Sequence, residues 1–193
     1  MAHIILDIGH ANGTGARGNG YEEHALCEII AKRLKNRRLE KHGIKTTLLD
    51  FPTMTNKEDL RRTIRVANAT KGVTFGISLH MDAASNTSAH GGHVCFTSPK
   101  GRELAERVAE PLVQLMPGRS VTVQKRTDLG VLNQTKAPWI LIELGFITNP
   151  GDIKKLVDDP DTEKNELKPL LDALEKGILD CIERANAWNT KTE

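Results

Sequence analysis

Two histidines and three glutamates stand where short apolar runs end or where a helix begins. His10 follows the run 4–8 across Gly9, His80 closes the strand-like VTFGISLH, and Glu143 interrupts the apolar run 139–144. In open α/β sheets the strand ends border the ligand crevice, so ends carrying His, His and Glu point to one site. Two neutral imidazoles and a carboxylate suit Zn²⁺, and a catalytic zinc takes three protein ligands while leaving a position for water. Glu22 and Glu23, at the start of the first helical stretch, compete for the remaining ligand place. The helical stripe through Glu23 continues as Leu26, Cys27, Ile30 and Leu34, whereas that through Glu22 runs Ala25, Leu26, Ile29 and Arg33. The spacing turns Glu23 toward the sheet and leaves Glu22 as the substitute. Glu143 is hard to explain structurally, because an ionised carboxylate is rarely buried unpaired.

The remaining histidines carry weaker signals. His90 and His93 flank Gly91-Gly92, where strand alternation or loop exposure accounts for them as well as a cleft would, and both are left out of the site. His3, His24 and His42 have no partner pattern and are expected at the surface.

The elements that must position these residues follow from periodicity. The run 4–8, closed by Gly9, fits a buried strand. Residues 11–20 hold four glycines and two asparagines, a loop composition. A helix is expected from Glu22 to about His42 with Gly43 as its stop, then a strand over 44–50. Leu60, Ile64 and Ala67 mark a helix over 57–70, followed by a strand over 73–80 and another over HVCFT. After Ser98-Pro99 comes a helix striped by Leu104, Val108, Leu112 and Leu115, which Pro111 should kink. A short strand over 121–123, an apolar strand over 139–144 and a last helix through Leu167, Leu174 and Ile182 complete the chain. Strands alternating with helices imply an α/β, three-layer fold: a central mainly parallel or mixed sheet with helices on both faces.

Composition agrees with one globular domain: 193 residues, 38% hydrophobic, 27% charged, mean hydropathy −0.38. Lys+Arg 27 against Asp+Glu 25 leaves +2, and Phe 4, Trp 2 and Tyr 1 offer little for base stacking, so no nucleic-acid partner is expected. Cys27, Cys95 and Cys181 lack paired-thiolate or disulfide spacing and read as buried thiols of a reducing compartment.

Taken in order, the motifs resemble the zinc-dependent N-acetylmuramoyl-L-alanine amidases of the type 3 amidase family, which cleave bacterial peptidoglycan. The likeness covers nearly the whole chain: Ile-Leu-Asp-Ile-Gly-His at 5–10, Gly-Ala-Arg-Gly at 15–18, Glu23, Ala67-Asn68, Ile-Ser-Leu-His at 77–80, Gly92, and Glu-Leu-Gly-Phe-Ile-Thr-Asn at 143–149. The resemblance implies that His10, Glu23 and His80 bind zinc and that Glu143 is the catalytic carboxylate. It also implies the scissile bond, the amide joining the lactyl group of N-acetylmuramic acid to L-alanine. Zinc lowers the pKa of water to about 7 and polarises a carbonyl, while a carboxylate takes the water's proton and delivers it to the leaving nitrogen. Gly145 is expected to let substrate or backbone approach closely. Ile8 replaces the family's usual Pro, Met81-Asp82 replaces a common Ala-Asn, and Arg61, Arg62 and Arg65 compete for the family's arginine register. These arginines read as a solvated helix face, with a stem-peptide carboxylate as the alternative partner for one.

The expected organisation is an endolysin-like catalytic domain over 1–187 and a polar C-terminal tail over 188–193, with no room for a wall-binding domain. The first residues lack a basic segment followed by an apolar stretch and cleavage site, and no run reaches the about 20 apolar residues of a span. Synthesis in the cytoplasm without a signal peptide is expected, with action on the cell wall after release. A phage or prophage pore-forming partner would give that access, and a sporulation enzyme is the other setting. Two other functions compete: a zinc carboxypeptidase or aminopeptidase acting on another amide, and a non-catalytic zinc-stabilised peptidoglycan-binding module.

Overall fold

A computed structural model describes residues 1–51, 54–157 and 167–189. The apolar run at the N-terminus is strand β1 (His3–Ile8), buried at every position. The glycine-rich loop contains a small antiparallel hairpin, β2 (Arg17–Gly18) and β3 (Tyr21–Glu22), which leads into helix α1 (Glu23–Arg37). The expected helix to His42 breaks at Arg38 (φ −124°, ψ −69°) and is followed by a separate 3-10 turn, Leu39–His42, closed by Gly43 at φ 68°. Next come β4 (Lys45–Leu49) and α2 (Asn56–Ala69). Thr55 and Glu58 form a reciprocal capping box at the start of α2.

The chain continues with β5 (Phe75–Asp82), β6 (His93–Phe96), α3 (Pro99–Leu115), β7 (Val123–Lys125), α4 (Gly130–Gln134), β8 (Trp139–Phe146), α5 (Pro150–Leu156) and α6 (Lys168–Asn189). Strand β5 extends two residues past His80, with a register irregularity between His80 and Asp82. Helix α3 runs through Pro111 without interruption. Proline offers no N–H to the Arg107 carbonyl one turn back, and α6 packs against this stretch: a Cβ at Gly177 would sit 2.8 Å from Val108 Cα. Helix α6 passes through the start of the expected tail, whose residues 190–193 lie outside the described ones.

Six strands form one mixed sheet in the order β4-β1-β5-β8-β6-β7. All neighbouring pairs are parallel except β6 with β8, so β6 and β7 run against the other four. Helices α1, α3 and α6 bury Leu26, Ile30, Leu104, Val108, Leu174 and Ile178 in the larger core cluster with Ile4, Leu6 and Ile77. The opposite face packs Ala67 of α2 and Val131 and Leu132 of α4 over Ile5, Cys95, Trp139 and Leu141. The three-layer expectation holds. Cys27, Cys95 and Cys181 are all buried free thiols.

A polar tie stitches the middle of the sheet. Ser78 Oγ donates to Asp7 Oδ2 (2.6 Å), Thr63 Oγ1 donates to Asp7 Oδ1 (2.9 Å), and Trp139 Nε1 donates to Ser78 Oγ (2.9 Å). One buried carboxylate thus connects β1, β5, β8 and α2. Burial raises the Asp7 pKa to about 6 against the lowering effect of the Ser78 and Thr63 hydroxyls.

Candidate metal centre and active site

The centre begins where β1 ends. A Cβ at Gly9 would lie 2.5 Å from the His80 ring, so only glycine lets β5 place that imidazole across the end of β1. His10 then takes φ 63°, a left-handed conformation that costs a non-glycine residue about 1–3 kcal/mol. His24 holds this turn. Its Nδ1 donates to the His10 carbonyl (2.7 Å), with the Gly9 carbonyl 3.3 Å away, and its Nε2 lies 3.4 Å from Asp50 Oδ1. His24 is buried, contrary to the surface expectation, because α1 presses its first turn against this strand end. His3 is buried as well, with Nε2 2.8 Å from Thr47 Oγ1 on the neighbouring strand. His42 is exposed as expected and meets Glu175 at 2.7 Å.

Glu23, 1% exposed, lies between the two histidines. Its Oε2 is 3.2 Å from His10 Nε2 and its Oε1 is 3.1 Å from His80 Nδ1. Backbone N–H groups of Ala16 and Met81 donate to the same two oxygens at 2.8 and 2.9 Å. Burial alone would raise the Glu23 pKa, but the hydrogen bonds and charge of His10 and His80 outweigh it and hold the carboxyl far below its ordinary value. One donor atom from each of His10, Glu23 and His80 falls within 4.8 Å of the others. Glu22, the competing carboxylate, pairs instead with Arg17 at 2.9 Å. The donor set, two imidazole nitrogens and a carboxylate oxygen, matches zinc, and the backbone donors on Glu23 are the orienting partners such ligands require.

Glu143 stands opposite His80 across β5–β8 and opposite His93 across β6–β8. Directly paired residues share a sheet face, so His80, Glu143 and His93 form a row. Burial raises the Glu143 pKa to about 7, with His80 opposing and Asp82 reinforcing the shift. Glu143 Oε2 is withdrawn from solvent and has no hydrogen-bond partner. Asp82, one of the two departures after His80, pairs with Arg119, whose guanidinium lies 4.6 Å over the Phe146 ring. His93 Nδ1 is 3.4 Å from Asp82 Oδ2, and burial followed by the Arg119 charge lowers the His93 pKa.

His93 is therefore a site neighbour that sequence reasoning left out. The signal was its position on a strand after Gly92, but only the antiparallel pairing of β6 with β8 places it beside Glu143. Gly145 serves packing: a Cβ there would lie 2.6 Å from Met116 Cε and 3.1 Å from Asp152 Oδ2. Asn149, which ends the Glu-Leu-Gly-Phe-Ile-Thr-Asn motif, caps α5 through the Asp152 N–H (2.9 Å) and ties the Thr87 carbonyl (2.8 Å). Arg61 and Arg65 are exposed, as a solvated face requires, and Arg62 lies 4.5 Å over the Phe51 ring.

A cavity of about 220 Å³ opens beside His10 and His80 under α2. Asn56, Asp59 and Leu60 of α2, Val131 of α4, and Asp7 and Leu141 of the sheet contribute to its wall.

Comparison with known proteins adds independent findings. The family model described as N-acetylmuramoyl-L-alanine amidase matches residues 4–176. A probable cell wall amidase, LytH of Staphylococcus saprophyticus, is 30% identical over 181 residues, covering 91% of this chain and 56% of that protein. The chain spans about half the length of the LytH proteins it matches, 56% and 51%. The CwlD amidase of Clostridioides difficile, solved with the GerS lipoprotein, superposes with TM-score 0.80 at 20% identity, covering 95% of this chain and 99% of that one. The catalytic domain of the CD27L endolysin, which targets Clostridia difficile, gives TM-score 0.71 at 25% identity over 90% of this chain and 97% of that one.

Proposed function

The chain belongs to the type 3 N-acetylmuramoyl-L-alanine amidase family, and from that premise we propose that it hydrolyses the amide between N-acetylmuramic acid and L-alanine in bacterial peptidoglycan, with zinc held by His10, Glu23 and His80. The observation that carries the reading is Glu143: a buried carboxylate oxygen without a partner, beside a three-donor cluster. The chemistry supplied by zinc in such a site is polarisation of the amide carbonyl and acidification of water to a pKa of about 7. Glu143 Oε2 takes the proton of the attacking water and then delivers it to the departing alanine nitrogen. Burial raises its pKa to about 7 in the metal-free protein, and the charge of a bound zinc would lower it toward the carboxylate form that a base needs at neutral pH. Glu23, anchored by two backbone N–H groups, orients the cluster, and His24 holds the turn that carries His10.

A peptidoglycan-binding module without turnover has no need of a carboxylate kept desolvated at this position, which favours hydrolysis. The lytic setting, release by a phage or prophage through a membrane pore, is the further part of the proposal and is supported by the likeness to an endolysin catalytic domain. No described helix is long and apolar enough to cross a membrane. Mass analysis of digested cell wall tests the reading. Free L-alanine amino termini together with glycan retaining its lactyl carboxylate are expected, whereas peptides trimmed at another amide would identify a peptidase, and binding without any cleavage would identify the module.

A further inference from the structure

Asp59 has no role in the chemistry above, yet it is one of the few buried charged side chains. It is 8% exposed and lines the cavity beside His10 and His80. The other acid in that cavity, Asp7, is satisfied by Ser78 and Thr63. Among the described residues the Asp59 carboxylate has no hydrogen-bond or ion-pair partner, and its oxygens are not withdrawn from solvent as Glu143 Oε2 is, so they open to the cavity. Capping α2 does not explain it, because the Thr55–Glu58 box already satisfies that end and Asp59 points inward. A side chain that is mostly enclosed yet opens its carboxylate to a cavity is a ready counter-ion for a ligand that brings a donor. Leu60, Leu129, Val131 and Leu141 give the same cavity an aliphatic wall. Among the described residues His10, Glu23 and His80 are the only group of three or more His, Cys, Asp or Glu donors that converge as metal ligands do, and Asp59 is not part of it.

We propose that this cavity is a subsite for a small primary ammonium group on an aliphatic skeleton, with Asp59 as its counter-ion. The inference rests on the amidase reading, since cleavage of the muramyl amide converts the alanine nitrogen into such a group next to the site. Two wall sources share this chemistry: the new N-terminus of the freed L-alanyl peptide, and the 2-amino group of a glycan sugar lacking its acetyl.

Isothermal titration with the zinc-loaded and the chelated protein tests it, using the L-alanyl-γ-D-glutamate dipeptide against its N-acetyl form and glucosamine against N-acetylglucosamine. At least one free amine should bind about tenfold or more tightly than its acetylated partner. Asp59→Asn should abolish that preference, Asp59→Glu should restore it, and the preference should survive chelation, which separates Asp59 from direct coordination to the metal. A preference in the dipeptide arm identifies the peptide N-terminus, one in the glucosamine arm an amino sugar, and both the shared chemistry. Preference in neither arm, or preference unchanged in Asp59→Asn, overturns the inference. Thermal unfolding of Asp59→Asn should show no loss of Tm, whereas a structural role for the carboxylate would lower it. Binding is read without turnover, so wall digestion without amine preference defeats this inference alone. Amine preference without wall digestion defeats the amidase reading alone.

Discussion

Gly9 and Glu23 show how single residues set the centre. A methyl at Gly9 would enter the His80 ring, with contacts of 2.5–2.6 Å to its atoms, so Gly9→Ala must move the imidazole. The folded protein should survive while zinc affinity, read by chelator competition, drops by about 10–100-fold, the range seen when the supports of a metal ligand are disturbed. Unchanged affinity would mean that His80 tolerates displacement and is no ligand. Asp7 allows a pH test on the metal-free protein. Its folded pKa of about 6 lies above the ordinary 3.8, so the folded state binds this proton more tightly than the unfolded chain. The contribution is fully present below pH 4 and is lost as pH rises through 6. Urea unfolding should therefore show Asp7→Asn gaining on the wild type by about 2 kcal/mol between pH 4 and pH 7, and a constant gap would contradict the raised pKa.

The elements explain why strand ends were readable and their neighbours were not. The run 4–8 and the strand of VTFGISLH announce themselves by continuous apolar residues buried on both faces, and Glu23 by its stripe on α1. Helices α4 and α5 are 5 and 7 residues long, too short to display a period, and the hairpin β2–β3 has two residues per strand. His93 beside Glu143, His24 under His10 and Asp59 in its cavity depend on contacts between elements distant in sequence, which local pattern does not encode. The break at Arg38 is similar: helical residues continue, but the chain must turn to bury Leu39 and begin β4. Cooperation between elements is measurable at Ser78. Ser78→Ala removes the donor to Asp7 and leaves the Trp139 N–H unpaired, so β1, β5 and β8 lose their polar tie. A loss of about 3 kcal/mol in denaturant unfolding is expected, with zinc affinity unaffected, and a loss below about 0.5 kcal/mol would show that the tie does not carry load.

At the scale of the whole molecule, four parallel strands bring their C-terminal ends, α1 and the cavity under α2 to one edge of the mixed sheet, while α3, α5 and α6 cover the rest. Because the three donors come from the turn after β1, from α1 and from β5, metal binding should stabilise the fold as a unit. At free zinc about 1,000-fold above Kd the gain is about 4 kcal/mol, so chelation should lower Tm by roughly 8–16 °C. An unchanged Tm would place the metal elsewhere or nowhere. The central claim is that Glu143 moves the proton during amide hydrolysis by a zinc-bearing fold. The most direct measurement is parallel zinc analysis and cell-wall digestion with the wild type and Glu143→Gln. The substitution keeps size and hydrogen-bonding capacity but removes the base, so zinc content, fold and substrate binding should persist while release of L-alanine amino termini falls by about 10²–10⁴-fold. Near wild-type release by Glu143→Gln, or loss of its zinc, would contradict the account.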